Sequence, residues 1–525
     1  MKNTAEMFRQ RVLVSPERRA LTHAGQHYSW QELYNRADAI RERLRRARIG
    51  RGDVVAIMAE HSPGQVAALL GTLLNDSIFT LVNTHLKYEQ VSHQLADSDA
   101  ALLIAQDSHA GKLEALAADR GTPMLVLDEA GGLADARPAP AADAARLLTR
   151  NIPTDVACLI YTSGSTGRAK GVVVPHRTLT DGARIVSGYL KITDQDRILS
   201  LLPYSFDYGL NQLLSAIHQG ASLVLFRFAF PQDLIDTLVK ERVTGFAGVP
   251  SIWPQLLQAK YANARGKSNF PDLRYMTTGG GAHSEEILRG LVAFFPRTEV
   301  IIIYGLTESF RSSYLPHAEL LRRPGSIGKA VPEVELLVLN EAGEPCKPGE
   351  IGELYHRGAF ITYGYLNNPE LTAQKFVDLQ TGGQGCLPEK AVRSGDLVHV
   401  DQEGFIYFHG RADLQIKSRG FRVSPGEVED TAQSFPGMRT AAAVGVPSPE
   451  AGELVVLAYD TFDRKPLDEK ALSRHLKSHL PYYAVPASIH FLEQMPLTQS
   501  GKVAYSAVQK IVRKHAAKGA GGATR

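Results

Sequence analysis

The apolar run Val156 to Ile160 opens directly into Tyr161-Thr-Ser-Gly-Ser-Thr-Gly-Arg-Ala-Lys-Gly171, which holds four small hydroxyl residues, three glycines and one lysine. This is the chemistry of a loop built to hold a polyphosphate. Glycines let backbone N–H groups approach an anion closely, hydroxyls add donors without bulk, and a lysine supplies a point charge. A polar surface turn would explain the glycines and serines but neither the lysine nor the strand that leads in. The spacing is not that of the Walker loop, which places lysine directly after glycine and Ser or Thr directly after lysine. Here Arg168 and Ala169 separate Gly167 from Lys170, and Gly171 follows.

The chain around this loop is too long for one core. At 525 residues it predicts two or more folding units. Strand-like runs at Val54 to Met58, Ala101 to Ala105, Met124 to Leu127, Ser222 to Phe226 and Val300 to Ile303 alternate with helical patterns such as Trp30 to Arg46 and Asp233 to Arg242. That alternation predicts α/β layers with largely parallel sheets. From Ile327 to Phe408 short segments are separated by turn signals (Glu341-Ala-Gly, Lys347-Pro-Gly, Asp401-Gln-Glu-Gly), which reads as a β-rich subdomain. After Gly410 a fresh mixture of strands and helices begins, with a linker expected at Arg411 to Leu414. The expected division is 1–411 and 412–525.

Charge and cysteine content narrow the function classes. Lysine and arginine number 58 against 55 acidic residues, a formal net charge of +3, so nothing points to a nucleic-acid partner and phosphate binding should be local. Met1 to Val14 lacks the apolar core of a secretory signal, and no stretch approaches the roughly 18 to 20 apolar residues of a membrane span. A cytoplasmic protein, monomer or homodimer, is expected. Cys158, Cys346 and Cys386 stand outside any CxxC spacing and suggest neither a disulfide framework nor a zinc site.

Further constellations follow in order. Tyr304-Gly-Leu-Thr-Glu308 comes directly after an apolar strand and can stack a base, bond a phosphate oxygen and ligate a hard cation. Arg393-Ser-Gly-Asp396 is read as a tight turn before the strand Leu397 to Val400, with a carboxylate suited to accept both hydroxyls of a ribose; a turn-capping aspartate is the plainer alternative. Gly410-Arg-Ala-Asp-Leu-Gln-Ile-Lys-Ser-Arg-Gly-Phe-Arg-Val423 and Pro425-Gly-Glu-Val-Glu429 come next. Pro496-Leu-Thr-Gln-Ser-Gly-Lys502 sets a lysine on a glycine turn near the end.

In this order, over residues 161 to 502, these motifs resemble the AMP-forming adenylating superfamily of acyl-CoA synthetases, the adenylation domains of non-ribosomal peptide synthetases, and firefly luciferase. The segment around Tyr304 to Pro316 is most similar to stand-alone bacterial acyl-CoA-ligase-like members. The resemblance implies a large N-terminal domain of two α/β layered subdomains and a β-rich subdomain, with a small mobile α+β C-terminal domain. It implies ATP and Mg²⁺ as cofactors, and adenylation of a carboxylic acid followed by thioester formation. Phosphate-loop roles fall on Thr162, Ser163, Gly164, Ser165, Thr166, Gly167 and Lys170. Gly279, Gly280 and Gly281 with Tyr304 and Gly305 line the adenine, Thr307 bonds the α-phosphate, Glu308 binds the metal, and Asp396 with Arg411 takes the ribose. Asp413 aligns with the hinge, Lys502 with the lysine of the first half-reaction, and Lys417 with the face presented in the second.

For the substrate the same resemblance points to Asp207, Tyr208, Asn211, Val249 and Phe310 as pocket residues, with Trp253 either wall or core. Asp207 falls where amino-acid-activating members bind the substrate's amino group. Ile302 and Leu306 depart from those members, which carry asparagine and proline there, so a carboxylic acid without an amine and an amino acid both stay open. No carrier-protein segment follows Lys502, so the thiol is expected in trans, as CoA or as the phosphopantetheine of a separate acyl or peptidyl carrier protein. A luciferase-like oxygenase and a non-catalytic nucleotide-binding relative are the competing classes; the joint presence of Lys170, Glu308, Asp396 and Lys502 disfavours the second.

Overall fold

The computed structural model describes residues 3–132, 149–163, 169–257, 270–281, 283–379, 388–414, 416–418, 421–448, 452–498 and 501–520. Local signals set the elements. Helix Trp30–Arg46 begins at a capping box in which Ser29 Oγ accepts from the Glu32 amide and the Glu32 carboxylate accepts from the Ser29 amide. Its buried residues Trp30, Leu33, Tyr34, Ala37, Ile40 and Leu44 recur at three- and four-residue spacing, which turns one face to the core.

The first layer is a six-stranded sheet. In spatial order it runs Met124–Leu127, Leu102–Gln106, Val54–Met58, Ile78–Leu81, Val156–Ser163 and Ala169–Pro175, parallel except for the last pair. Those last two strands form a hairpin in which Thr162 faces Lys170 and Ser163 faces Ala169. The anion loop expected over Tyr161 to Gly171 is thus shorter than the sequence reading had it, because both flanks are strand. Gly164, Ser165, Thr166 and Gly167 lie outside the described residues.

The second layer takes in the β-rich segment as well. Strands Arg19–His23, Ser222–Leu225, Arg197–Ser200, Gly245–Gly248, Tyr275–Gly279 and Glu299–Tyr304 pair in parallel in that order. The sheet then continues antiparallel through Ser313–Leu315, Ser326–Ala330, Ile406–Arg411, Glu389–Val400, Gly352–Gly358 and Val334–Leu339. The β-rich segment is therefore an edge-to-edge extension of the second α/β sheet, within one sheet of 14 strands. Arg393-Ser-Gly-Asp396 is not a turn before a strand, as its residues suggested. It lies inside Glu389–Val400, where Gly395 at φ +80° accompanies register shifts against both neighbours.

The small C-terminal α+β domain has a sheet of its own, Phe421–Val423, Ile416–Ser418, Gly452–Thr461 and Met438–Ser448, with Ser488–Phe491 parallel to Gly452–Thr461. Val428, Leu457, Leu472 and Leu476 fill a core separate from that of the larger domain. Among the described residues no helix is long and apolar enough to cross a membrane.

Candidate active site

Strands Tyr275–Gly279 and Glu299–Tyr304 lie side by side and end together, and their C-terminal ends carry the glycine run and the Tyr304 motif. Open α/β sheets place ligands at such strand ends. A Cβ on Gly279 would stand 2.6 Å from the Ile303 carbonyl oxygen, so the close approach of the two strands requires glycine there. Gly280 follows at φ +87° and turns the backbone across the strand ends. Gly281 is exposed. His283 and Trp253 converge on Thr278 Oγ1, each at 2.6 Å, and pin the strand that carries the run. Burial pushes the His283 imidazole down to about 4, so the ring is neutral near pH 7.

Asp396 sits at the bulge of its strand and is 2% exposed. The Tyr304 phenol donates to its Oδ2. Arg411 Nη1 stands 3.1 Å from Oδ1, at an angle that makes no hydrogen bond, so that buried oxygen keeps acceptor capacity. Burial raises the Asp396 carboxyl above its ordinary value, and the Arg411 and Lys502 charges oppose the rise. Glu308 is one turn beyond the strand end. Its carboxylate accepts from the Tyr365 phenol, and its carbonyl accepts from Thr362 through the amide at 3.1 Å and the hydroxyl at 3.0 Å. Gly305 is held between Tyr304 and the loop backbone at Phe310 and Arg311.

Thr307 Oγ1 donates to Asp207 Oδ1 at 3.2 Å. Asp207 opens helix Asp207–Gln219, and its burial raises the carboxyl pKa against the opposing charges of Arg311 and Lys502. Lys502 arrives from the small domain. Gly501, at φ +78°, and the bonds of the Thr498 backbone and hydroxyl to the Lys502 backbone build the turn that presents it. A Cβ on Gly280 would lie 3.5 Å from Lys502 Cε, and one on Gly501 would lie 3.2 Å from Ser251 Oγ. The lysine turn is therefore seated on the glycine run of the large domain.

The structure gathers Asp207, Gly279, Gly280, Tyr304, Thr307, Glu308, Asp396, Arg411 and Lys502 around these strand ends. Val249 lies beside Gly280 and Gly501, while Tyr208 and Asn211 line a small cavity behind Asp207. Phe310 is not at that cavity: it is fully buried, against Gly182. Trp253 is likewise fully buried, under Gly248. Thr162 and Lys170 stay at the hairpin. The side chains of Ser163, Asp413 and Lys417 lie outside the described residues; the backbone of Asp413 is in the 3₁₀ turn Ala412–Leu414 and that of Lys417 in strand Ile416–Ser418. Two residues escaped the sequence reading, Tyr365 on Glu308 and Arg311 at the cavity. Tyr365 stands in no run of chemistry-bearing residues that would have marked it, and Arg311 lies three residues past Glu308, beyond the motif that carries the recognisable chemistry.

A large α/β domain with strand-end glycines is closed here by a lysine turn of a small domain. Residues 8–366 match the family described as AMP-binding enzyme and residues 427–502 match the AMP-binding enzyme C-terminal domain; the chain belongs to this family. Tyrocidine synthase 3 of Brevibacillus parabrevis is 30% identical over 517 residues, 97% of this chain. The chain spans only 8% of that relative's length. An ATP-bound RpMatB-BxBclM chimera superposes with a TM-score of 0.86 at 25% identity, covering 97% of this chain and 99% of the other. o-Succinylbenzoate CoA synthetase (MenE) from Bacillus subtilis, in complex with its acyl-adenylate intermediate, gives a TM-score of 0.83 at 26% identity over 97% of this chain and 98% of its own. A second complex of that synthetase holds ATP and a magnesium ion.

Proposed function

We propose that this protein activates a carboxylic acid as its acyl-adenylate, with release of pyrophosphate from ATP, and passes the acyl group to a thiol in the cytoplasm. The observation that carries this reading is the seating of Lys502 on Gly280, within electrostatic reach of both Asp207 and Asp396. A carboxylate and the α-phosphate repel each other, and an in-line attack between them is limited by positioning and charge neutralisation. Lys502 would stand where that charge is offset, and Thr307 would bond the α-phosphate. Lys170, with Thr162, Ser163, Ser165 and Thr166, would hold the departing phosphates.

The residues fit the nucleotide and its metal. Asp396 Oδ1 is a buried acceptor without a hydrogen bond among the described residues, which suits a ribose hydroxyl, and Tyr304 fixes the other carboxylate oxygen. Glu308 offers one carboxylate oriented by Tyr365, and no cluster of three or more His, Cys, Asp or Glu occurs among the described residues. One carboxylate completed by phosphate oxygens and water is the coordination Mg²⁺ accepts. When bound, that ion would neutralise charge on the phosphates.

Thioester formation requires Lys502 to withdraw. We place the two bodies at 1–411 and 412–525, the hinge at Asp413, and Lys417 on the face that then turns inward. CoA or the phosphopantetheine of a separate carrier protein is the acceptor; the CoA synthetases among the structural neighbours favour the first, and the synthase among the relatives keeps the second. Asp207, buried and bonded only by Thr307 among the described side chains, also supports a second reading in which the substrate is an amino acid whose ammonium pairs there. ATP–pyrophosphate exchange over a panel of carboxylic and amino acids tests the proposal. Exchange dependent on one acid class is expected, and ATP binding without exchange for any acid would overturn it.

A further inference from the structure

Arg311 is 3% exposed, yet no carboxylate lies within 4.0 Å of its guanidinium among the described residues. Its Nε has no hydrogen-bond partner there either. What it touches is the face of Tyr208, at 4.8 Å, whose hydroxyl is tied to Thr277 Oγ1 at 2.5 Å. An arginine cannot shed its proton to relieve burial; Asp207 acts on this guanidinium only from beyond ion-pair distance, so an anion in direct contact would lower the cost of burying it.

The loop is constructed to hold it there. Phe310, at φ +52°, turns its ring into the core against Gly182, which sends the next residue the other way. The Ser312 amide donates to the Tyr304 carbonyl at 2.9 Å, and Ser312 Oγ bonds His356 Nδ1 at 2.9 Å while His356 Nε2 bonds the Ala359 carbonyl at 2.8 Å. Arg311 thereby lines a cavity of about 20 Å³, beside Tyr208 and behind Asp207. Three more polar groups lining it are buried without a partner among the described residues: the donors Asn211 Nδ2 and the Tyr189 hydroxyl, and the acceptor Gln212 Oε1. A cationic fork with two further donors against one acceptor, around a space of a few atoms, favours a small planar anion.

We propose that Arg311 is a specificity-determining residue that pairs with a second carboxylate, at the far end of a short acid substrate. The inference rests on the adenylation reading above. The substrate is then a short dicarboxylic acid, or an amino dicarboxylic acid if its ammonium takes Asp207. In the second case Asp207 is engaged by the ammonium, and the distal carboxylate restores a counter-charge to Arg311.

The test is pyrophosphate exchange on acids of matched length, one ending in a carboxylate and the other in a methyl group, each with and without an α-amino group. The wild type should favour the carboxylate-ended member by at least about 10²-fold in kcat/KM, and Arg311→Met should lose that preference while retaining activity on the methyl-ended acid. Without ATP, the diacid should raise the Tm of the wild type and not of Arg311→Met. If Arg311→Met does not fold, Arg311→Lys keeps the charge without the fork and should keep a weaker preference of the same sign. Equal losses on both members, or a wild-type preference for the methyl-ended acid, would overturn this inference and leave adenylation standing. Exchange with no acid at all would overturn both.

Discussion

Lys502 and Gly280 meet across the two domains: a Cβ on Gly280 would lie 3.5 Å from Lys502 Cε. One residue stands on a C-terminal turn and the other at the end of a parallel strand, and only the docking of the small domain brings them together. Lys502→Ala should therefore slow ATP-dependent adenylation by on the order of 10²-fold or more, several kcal/mol in that barrier. From a prepared acyl-adenylate the variant should transfer the acyl group to its thiol at near wild-type rate. Retained ATP-dependent activity, measured by pyrophosphate exchange, would make Lys502 a surface lysine.

Glu308→Gln keeps the shape of a side chain that accepts from Tyr365 but removes its charge. ATP affinity should persist through the other phosphate contacts, while adenylation falls and its Mg²⁺ requirement rises. A titration of exchange rate against Mg²⁺ reads this directly. An unchanged Mg²⁺ midpoint would remove Glu308 from the metal site.

Asp207→Ala separates the two substrate readings. If the aspartate binds an ammonium, the KM for the amino acid should rise far more than that for its desamino analogue, since only the former leaves a buried charge unpaired. Equal losses for both would favour the acid without an amine.

Asp413→Pro bears on the hinge. Proline fixes φ at a backbone position that must change if the small domain is to rotate. Pyrophosphate exchange should survive while thioester formation falls. Parallel loss of both half-reactions would place the hinge elsewhere.

A pH effect should arise in the small domain, away from the site. Glu429 accepts from the Ala443 amide at 2.8 Å and from the Tyr505 hydroxyl at 2.8 Å, and burial pushes its carboxyl up to about 7. The folded form holds its proton more tightly than the unfolded chain, so the stability contributed is complete below the ordinary glutamate value near 4.5 and is lost as pH rises through about 7. Glu429→Gln should flatten that loss, a few kcal/mol at most. Tm measured at pH 5 and pH 8 for both proteins checks it; a parallel pH dependence would count against a protonated Glu429.

The elements of the large domain were legible because their signals are local. Val54–Met58, Met124–Leu127 and helix Trp30–Arg46 appear with the bounds that apolar runs and periodicity indicated. The glycine run, the Tyr304 motif and the lysine turn were visible for the same reason: each concentrates unusual chemistry in a few consecutive residues. Pairing across the sheet was not legible. Nothing in 327–408 says that its strands extend the second α/β sheet through Ser313–Leu315, since a hydrogen-bonded edge is shared by segments far apart in sequence.

What the sequence by itself determined was the class of chemistry, because residues that handle a phosphate, a cation and a carboxylate carry their character wherever they are placed. What only the tertiary structure decided was their direction. The bulge at Gly395 aims Asp396 at Tyr304 from inside a strand that reads as a turn, and a positive φ at Phe310 buries the aromatic ring and leaves Arg311 facing the cavity. Both outcomes depend on backbone dihedrals set by packing against distant segments, and one-dimensional spacing holds no record of those contacts.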